Sequence, residues 1–84
     1  MVKEGDLVAV FHSVHRVLKA EKILKEHQLP FRMIPAPRQI AADCGLALCF
    51  VPEDRSAIED VLTAAEMGIV ELWRFESGDY SRLK

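Results

Sequence analysis

The sequence predicts a small α+β domain with the order strand, helix, strand, strand, helix, strand. Three observations carry this. Residues 13–28 and 52–67 place apolar side chains at helical spacing. Residues 6–11 and 46–50 are short, nearly continuous apolar runs, as expected of central strands covered on both faces. The chain has 84 residues, which leaves room for one domain, taken as 1–84.

The elements follow in order. Leu7, Val8, Ala9, Val10 and Phe11 read as the first strand, and it stops at His12-Ser13. Ser13 is a good helix N-cap, because its hydroxyl can accept an otherwise orphaned backbone N–H. The helix it opens carries Val17, Ala20 and Leu24 on one stripe and lysines away from it. Glu21 falls at the border of that stripe, where a neighbouring base is its simplest partner. Leu29-Pro30 ends the helix. Residues 31–34 alternate loosely and read as an edge strand.

Pro35 and Pro37 forbid a regular element interior in the stretch that follows, which is long for a connection. Residues 40–43 could close one helical turn. Leu46, Leu48 and Phe50 then point one way and Ala47 and Cys49 the other, a third strand. Pro52-Glu53-Asp54 opens a second helix with acids at its positive end, and Gly68 is a natural stop. Residues 69–75 read as the fourth strand, and 76–84 as a polar C-terminal tail. This order is the ferredoxin-like βαββαβ arrangement: a four-stranded antiparallel sheet, order 4-1-3-2, with both helices on one face.

Composition narrows the function classes. Half of the residues are hydrophobic, so the chain can fold around a core. With 11 basic and 13 acidic residues the net charge is −2, which argues against a general nucleic-acid binder and a polybasic membrane anchor. The apolar runs are far shorter than the roughly 20 residues of a membrane span. No basic–apolar leader opens the sequence, and two cysteines without one suggest free thiols in a reducing compartment. The expected location is the cytoplasm.

The predicted topology gathers chemistry at one edge. With strands one and three adjacent and antiparallel, His12 and Ser13 end one strand beside the start of the next, at Cys44-Gly45. The loop carrying Arg38 opens there too. A thiol near a helix N-terminus and a cation is favoured as thiolate, and Gly45 leaves room for a bulky partner. Cys49, in mid-strand, reads instead as a small buried hydrophobe. A Cys44–Cys49 disulfide is not expected, since five extended residues separate the α-carbons by about 16 Å. His12, His15 and Cys44 offer a weaker metal reading, but no metal-ligand spacing supports it, and no metal or cofactor is assigned.

These residues resemble a family. Phe11-His12-Ser13, then Ala20-Glu21-Lys22-Ile23-Leu24-Lys25, Pro35-Ala36-Pro37-Arg38-Gln39-Ile40 and Cys44-Gly45-Leu46-Ala47-Leu48 together look like the small bacterial selenium/sulfur carrier protein-like domains. The resemblance covers residues 7–50 and, more weakly, the second helix. Its most specific part is Pro-x-Pro-Arg followed six residues later by Cys-Gly. The family tends to have Ser or Thr between that Arg and Cys, where Ala41-Ala42-Asp43 stands here. The resemblance implies a carrier that holds a persulfide or selenopersulfide on Cys44, framed by Pro35, Pro37, Arg38 and Gly45. It would be loaded by a donor such as a cysteine desulfurase and unloaded by an acceptor enzyme, without turnover of its own. A different class of reading is a non-catalytic interaction or regulatory domain that forms a homodimer through the helix-free sheet face. Its motive is the apolar character of the inner strands on both sides.

Overall fold

The computed structural model describes residues 2–40 and 44–84. The elements are β1 (Leu7–Val10), α1 (Val14–Glu26), β2 (Arg32–Pro35), β3 (Leu46–Phe50), α2 (Arg55–Ala64), β4 (Glu71–Glu76) and β5 (Asp79–Arg82). A 3-10 turn, Pro52–Asp54, leads into α2. The fold is α+β, with two helices and one antiparallel sheet of order β2-β3-β1-β4-β5.

The sheet therefore has five strands where four were expected. The fifth comes from the segment read as a polar tail. Ser77 and Gly78 both have positive φ, 53° and 79°, which is the geometry of a tight two-residue hairpin turn. Glu76 pairs with Asp79 across it, and the Glu4 carboxylate accepts the Ser77 N–H. Tyr80 then packs against Phe75 with the rings tilted and their centroids 5.1 Å apart. The polar residues at 76–79 are hairpin-turn chemistry, and one aromatic residue beyond them holds the returning strand.

Strand parity builds two apolar layers. Leu7, Ala9 and Phe11 of the first strand segment, Leu48 and Phe50 of β3 and Leu72 of β4 face Val17, Ala20 and Leu24 of α1 and Ile58 and Leu62 of α2. Both helices thus pack on the same sheet face. On the other face Val8, Val10, Ala47 and Ile40 form a second cluster, joined by Val2, Ile34, Ala36, Trp73 and Tyr80. This corrects the expectation of a bare helix-free face. Val8, Val10, Ala47 and Cys49 are fully buried within one chain, so the inner strands give no reason of their own for a dimer there.

The helix ends fall as expected except at the end of α2. Ser13 caps α1, its hydroxyl accepting the Arg16 N–H at 3.4 Å. Both C-termini close in the same reverse turn. After α1, the N–H groups of Gln28 and Leu29 donate to the carbonyls of Lys25 and Leu24, and Gln28 is left-handed at φ 57°. After α2, Glu66 and Met67 donate to Thr63 and Leu62, with Glu66 at φ 58°. The stop is thus Glu66, not Gly68. Glu21 pairs with Lys25 at 3.3 Å, the neighbouring base its border position called for.

Candidate functional site

The strand registers fix which residues share the edge of interest. Pro35 lies opposite Leu46, and Ala9 opposite Leu48. The end of β1, the end of β2 and the start of β3 are therefore level, with α1 beginning from the same edge. Gly45 has φ +73°, a conformation that disfavours any side chain. Its carbonyl accepts the Ala36 N–H at 2.9 Å, which extends the β2–β3 ladder into the Pro35–Pro37 segment. The Pro37 carbonyl accepts the Ile40 N–H, and Ile40 is buried in the second apolar cluster. The loop is thus anchored on both sides of Arg38.

Cys44 is partly buried and packs against the helix-side core, so its thiol lies on the face that carries α1. The Sγ donates weakly to the Leu46 carbonyl at 3.4 Å. Arg38 is exposed, and among the described residues it makes no hydrogen bond or ion pair. His12 turns the other way, toward β4. It is left-handed at φ 59°, and its Nε2 lies 2.6 Å from Glu71 Oε2. Among the described residues, then, the edge holds Cys44, Gly45, Pro35, Pro37, Arg38, His12 and Ser13 together, but no hydrogen bond joins the thiol to Arg38, His12 or Ser13. The single helical turn expected at 40–43 and the residues Ala41, Ala42 and Asp43 fall largely outside the described residues.

The His12–Glu71 contact is part of a small polar group. Glu71 Oε1 accepts the Trp73 indole N–H at 2.9 Å, and the Arg82 guanidinium lies 5.9 Å over the Trp73 ring. The His12 ring holds the Glu71 carboxyl below its ordinary value, against the effect of its burial. Glu71 is therefore a carboxylate that can only accept, so Nε2 carries the proton. That leaves Nδ1 buried and without a partner among the described residues.

The sequence reading missed a second polar group, around the other thiol. Cys49 is fully buried, as expected, but it is not simply a small hydrophobe. Arg32 lies directly opposite it in the β2–β3 register, and Arg32 Nη2 donates to Cys49 Sγ at 3.1 Å and to Asp6 Oδ2 at 2.9 Å. The Asp6 carboxylate also accepts the Lys3 N–H at 2.9 Å, with the Cys49 thiol at 3.6 Å. Burial pushes the Asp6 carboxyl up, but the Lys3 amide, Arg32 and Cys49 outweigh it, so it stands below its ordinary value. Burial pushes the Cys49 thiol up, and Arg32 only partly offsets this. The thiol is thus held protonated as well as inaccessible. The available signal was Asp6 immediately before an all-apolar strand, but pairing it with Arg32 needs the register.

Among the described residues no group of three or more His, Cys, Asp or Glu is placed to hold a metal ion, so His12, His15 and Cys44 form no such site. No helix among them is long and apolar enough to cross a membrane. Compared with known proteins, residues 6–74 match the family model described as "Putative Se/S carrier protein-like", and the chain belongs to that family. No curated protein and no solved structure matches it significantly.

Proposed function

We propose that this member of the Se/S carrier-like family carries sulfur or selenium on Cys44, as a persulfide or selenopersulfide, between a cytoplasmic donor enzyme and an acceptor. The observation that carries this reading is the contrast between the two thiols. Cys49 is sealed under Arg32 and Asp6, while Cys44 stands partly exposed at a strand start beside a glycine that adds no side chain. Only Cys44 can meet a partner's sulfur without the sheet opening.

The transfer balances without an outside oxidant. The Cys44 thiolate attacks the outer sulfur of a donor persulfide, such as that of a cysteine desulfurase. A new S–S bond forms on Cys44, the donor's S–S bond breaks, and the donor cysteine leaves as a thiolate. Discharge repeats the step with the acceptor as nucleophile. The protein holds the atom; the two enzymes supply the chemistry. Arg38, exposed on the same loop, and the start of α1 are the positive groups available to the anionic persulfide. We read β1 to β4 with the two helices as a ferredoxin-like unit extended by the β5 hairpin. Its role here is to hold the loop ends in register.

The test is mass spectrometry of the chain after incubation with a cysteine desulfurase and cysteine. The expected result is one added sulfur atom on Cys44, absent in Cys44→Ser and retained in Cys49→Ser. Loading on Cys49, or on neither cysteine, overturns the reading.

A further inference from the structure

We infer that the first two and a half turns of α1 form the docking surface through which an acidic partner protein reaches Cys44. The inference rests on the carrier reading and adds to it the place and chemistry of the encounter.

Three observations carry it. First, the thiol has a side. Cys44 packs against the helix-side core, so a partner reaches it from the face on which α1 lies, at the edge where α1 begins. Second, that part of α1 presents two large apolar side chains to solvent on neighbouring turns. Val14 and Leu18 are 44% and 45% exposed, one helical turn apart, and the burial of Val17, Ala20 and Leu24 leaves no core for them to join. Third, the same stretch is basic within an acidic chain. Arg16, Lys19 and Lys22 are exposed, and none is ion-paired among the described residues, whereas Lys25 is committed to Glu21. The whole chain carries −2.

Lys22 and Lys19 border the apolar pair on one side of the helix, and an apolar centre with a polar rim is the anatomy of a protein interface. Charge complementarity then fixes the partner as an acidic surface with an apolar centre. A nucleic acid would also use the cations, but it would not call for Val14 and Leu18 among them.

The test compares two ways of loading Cys44. One uses a cysteine desulfurase with cysteine, which must dock; the other uses inorganic polysulfide, which need not. Leu18→Glu and the charge reversal Lys19→Glu are both at exposed positions, and the polysulfide arm reports whether the thiol is intact in each. The expected result is roughly tenfold slower enzymatic loading for each variant, with polysulfide loading changed less than about twofold. Raising the salt should slow the enzymatic route in the wild type far more than in Lys19→Glu. Equal enzymatic rates in wild type and variants overturn the docking surface and leave the carrier. A wild type loaded by polysulfide but not by the desulfurase overturns the carrier reading as proposed, and this inference with it. A wild type loaded by neither overturns the carrier reading and this inference with it. Retention of a 20-mer oligonucleotide that Lys19→Glu abolishes assigns the surface to nucleic acid instead and also overturns it.

Discussion

Removing Arg32 should cost the fold more than removing Asp6, although the two form one ion pair. The pair is lopsided. The Asp6 side chain is 6% exposed and the Arg32 side chain 45%, with 2.9 Å between Nη2 and Oδ2. Solvent around the guanidinium screens the attraction, so the pair itself falls nearer the surface value of about 1 kcal/mol than the 3–5 of a fully buried one. Asp6→Asn keeps an acceptor for the Lys3 N–H and loses that screened attraction, at a cost of about 1 kcal/mol. Arg32→Met leaves a buried carboxylate with no cation, and the stranded charge raises the cost to about 2–3 kcal/mol. At about 4–8 °C per kcal/mol for a chain of this size, the two variants should separate clearly in thermal melts.

The pH dependence separates the variants further. In the wild type the Asp6 carboxyl lies below its ordinary value, so its contribution is present at neutral pH and is lost as the pH falls through the folded-state value. Without Arg32 the carboxyl loses two of the influences that lower it, and it moves up from its wild-type position. Arg32→Met should then recover stability relative to wild type between pH 7 and 4, as the stranded charge takes a proton. Melts of the two single variants and the double variant across that range are the assay. Equal costs, additive costs, or an Arg32→Met deficit that does not shrink on acidification would refute this account of the cluster.

Iodoacetamide should alkylate Cys44 in the native protein and Cys49 only after unfolding, because Cys49 is sealed and its thiol is pushed up by burial; peptide mapping over time reads both. Gln28→Gly and Glu66→Gly should each stabilise the chain by about 0.5–1 kcal/mol, since each residue sits left-handed at a helix end where glycine carries no Cβ penalty; a fall in melting temperature would count against the turn assignment. Tyr80→Ala should destabilise by about 1–2 kcal/mol and increase amide exchange in β5, as it removes the aromatic contact that holds the hairpin.

Much of this architecture was legible in the sequence because it rests on local periodicity. The two-sided apolar runs at β1 and β3 and the stripe of Val17, Ala20 and Leu24 can be read along the chain. So can the Ser13 cap. The β5 hairpin was not, because Ser77-Gly78 resembles an ordinary polar end until Tyr80 is seen to find Phe75. The stop of the second helix was misplaced for a related reason. Glycine is the usual signal of a left-handed residue, and here Gln28 and Glu66 take that conformation, held by paired carbonyl contacts and by Leu29 and Met67 packing on the core. At the site, Cys44, Gly45 and the prolines were readable as a loop framing a thiol. The Arg32–Asp6–Cys49 group was not, because it joins three strands, and only their register shows that the three residues meet.

That register also bears on why a carrier with two cysteines could work. A persulfide is discharged whenever a second thiol reaches its inner sulfur, forming a disulfide and releasing the outer atom as hydrosulfide. Cys44 and Cys49 are an odd number of residues apart, and strand parity sends them to opposite faces of the sheet. Cys44 packs on the helix side, whereas Cys49 lies under Arg32 on the other. Burial further keeps Cys49 in the protonated form, which is the poor nucleophile. The strand that follows Cys44 therefore withholds the only other thiol in the chain. Moving Cys49 by one position would bring its side chain to the face of Cys44.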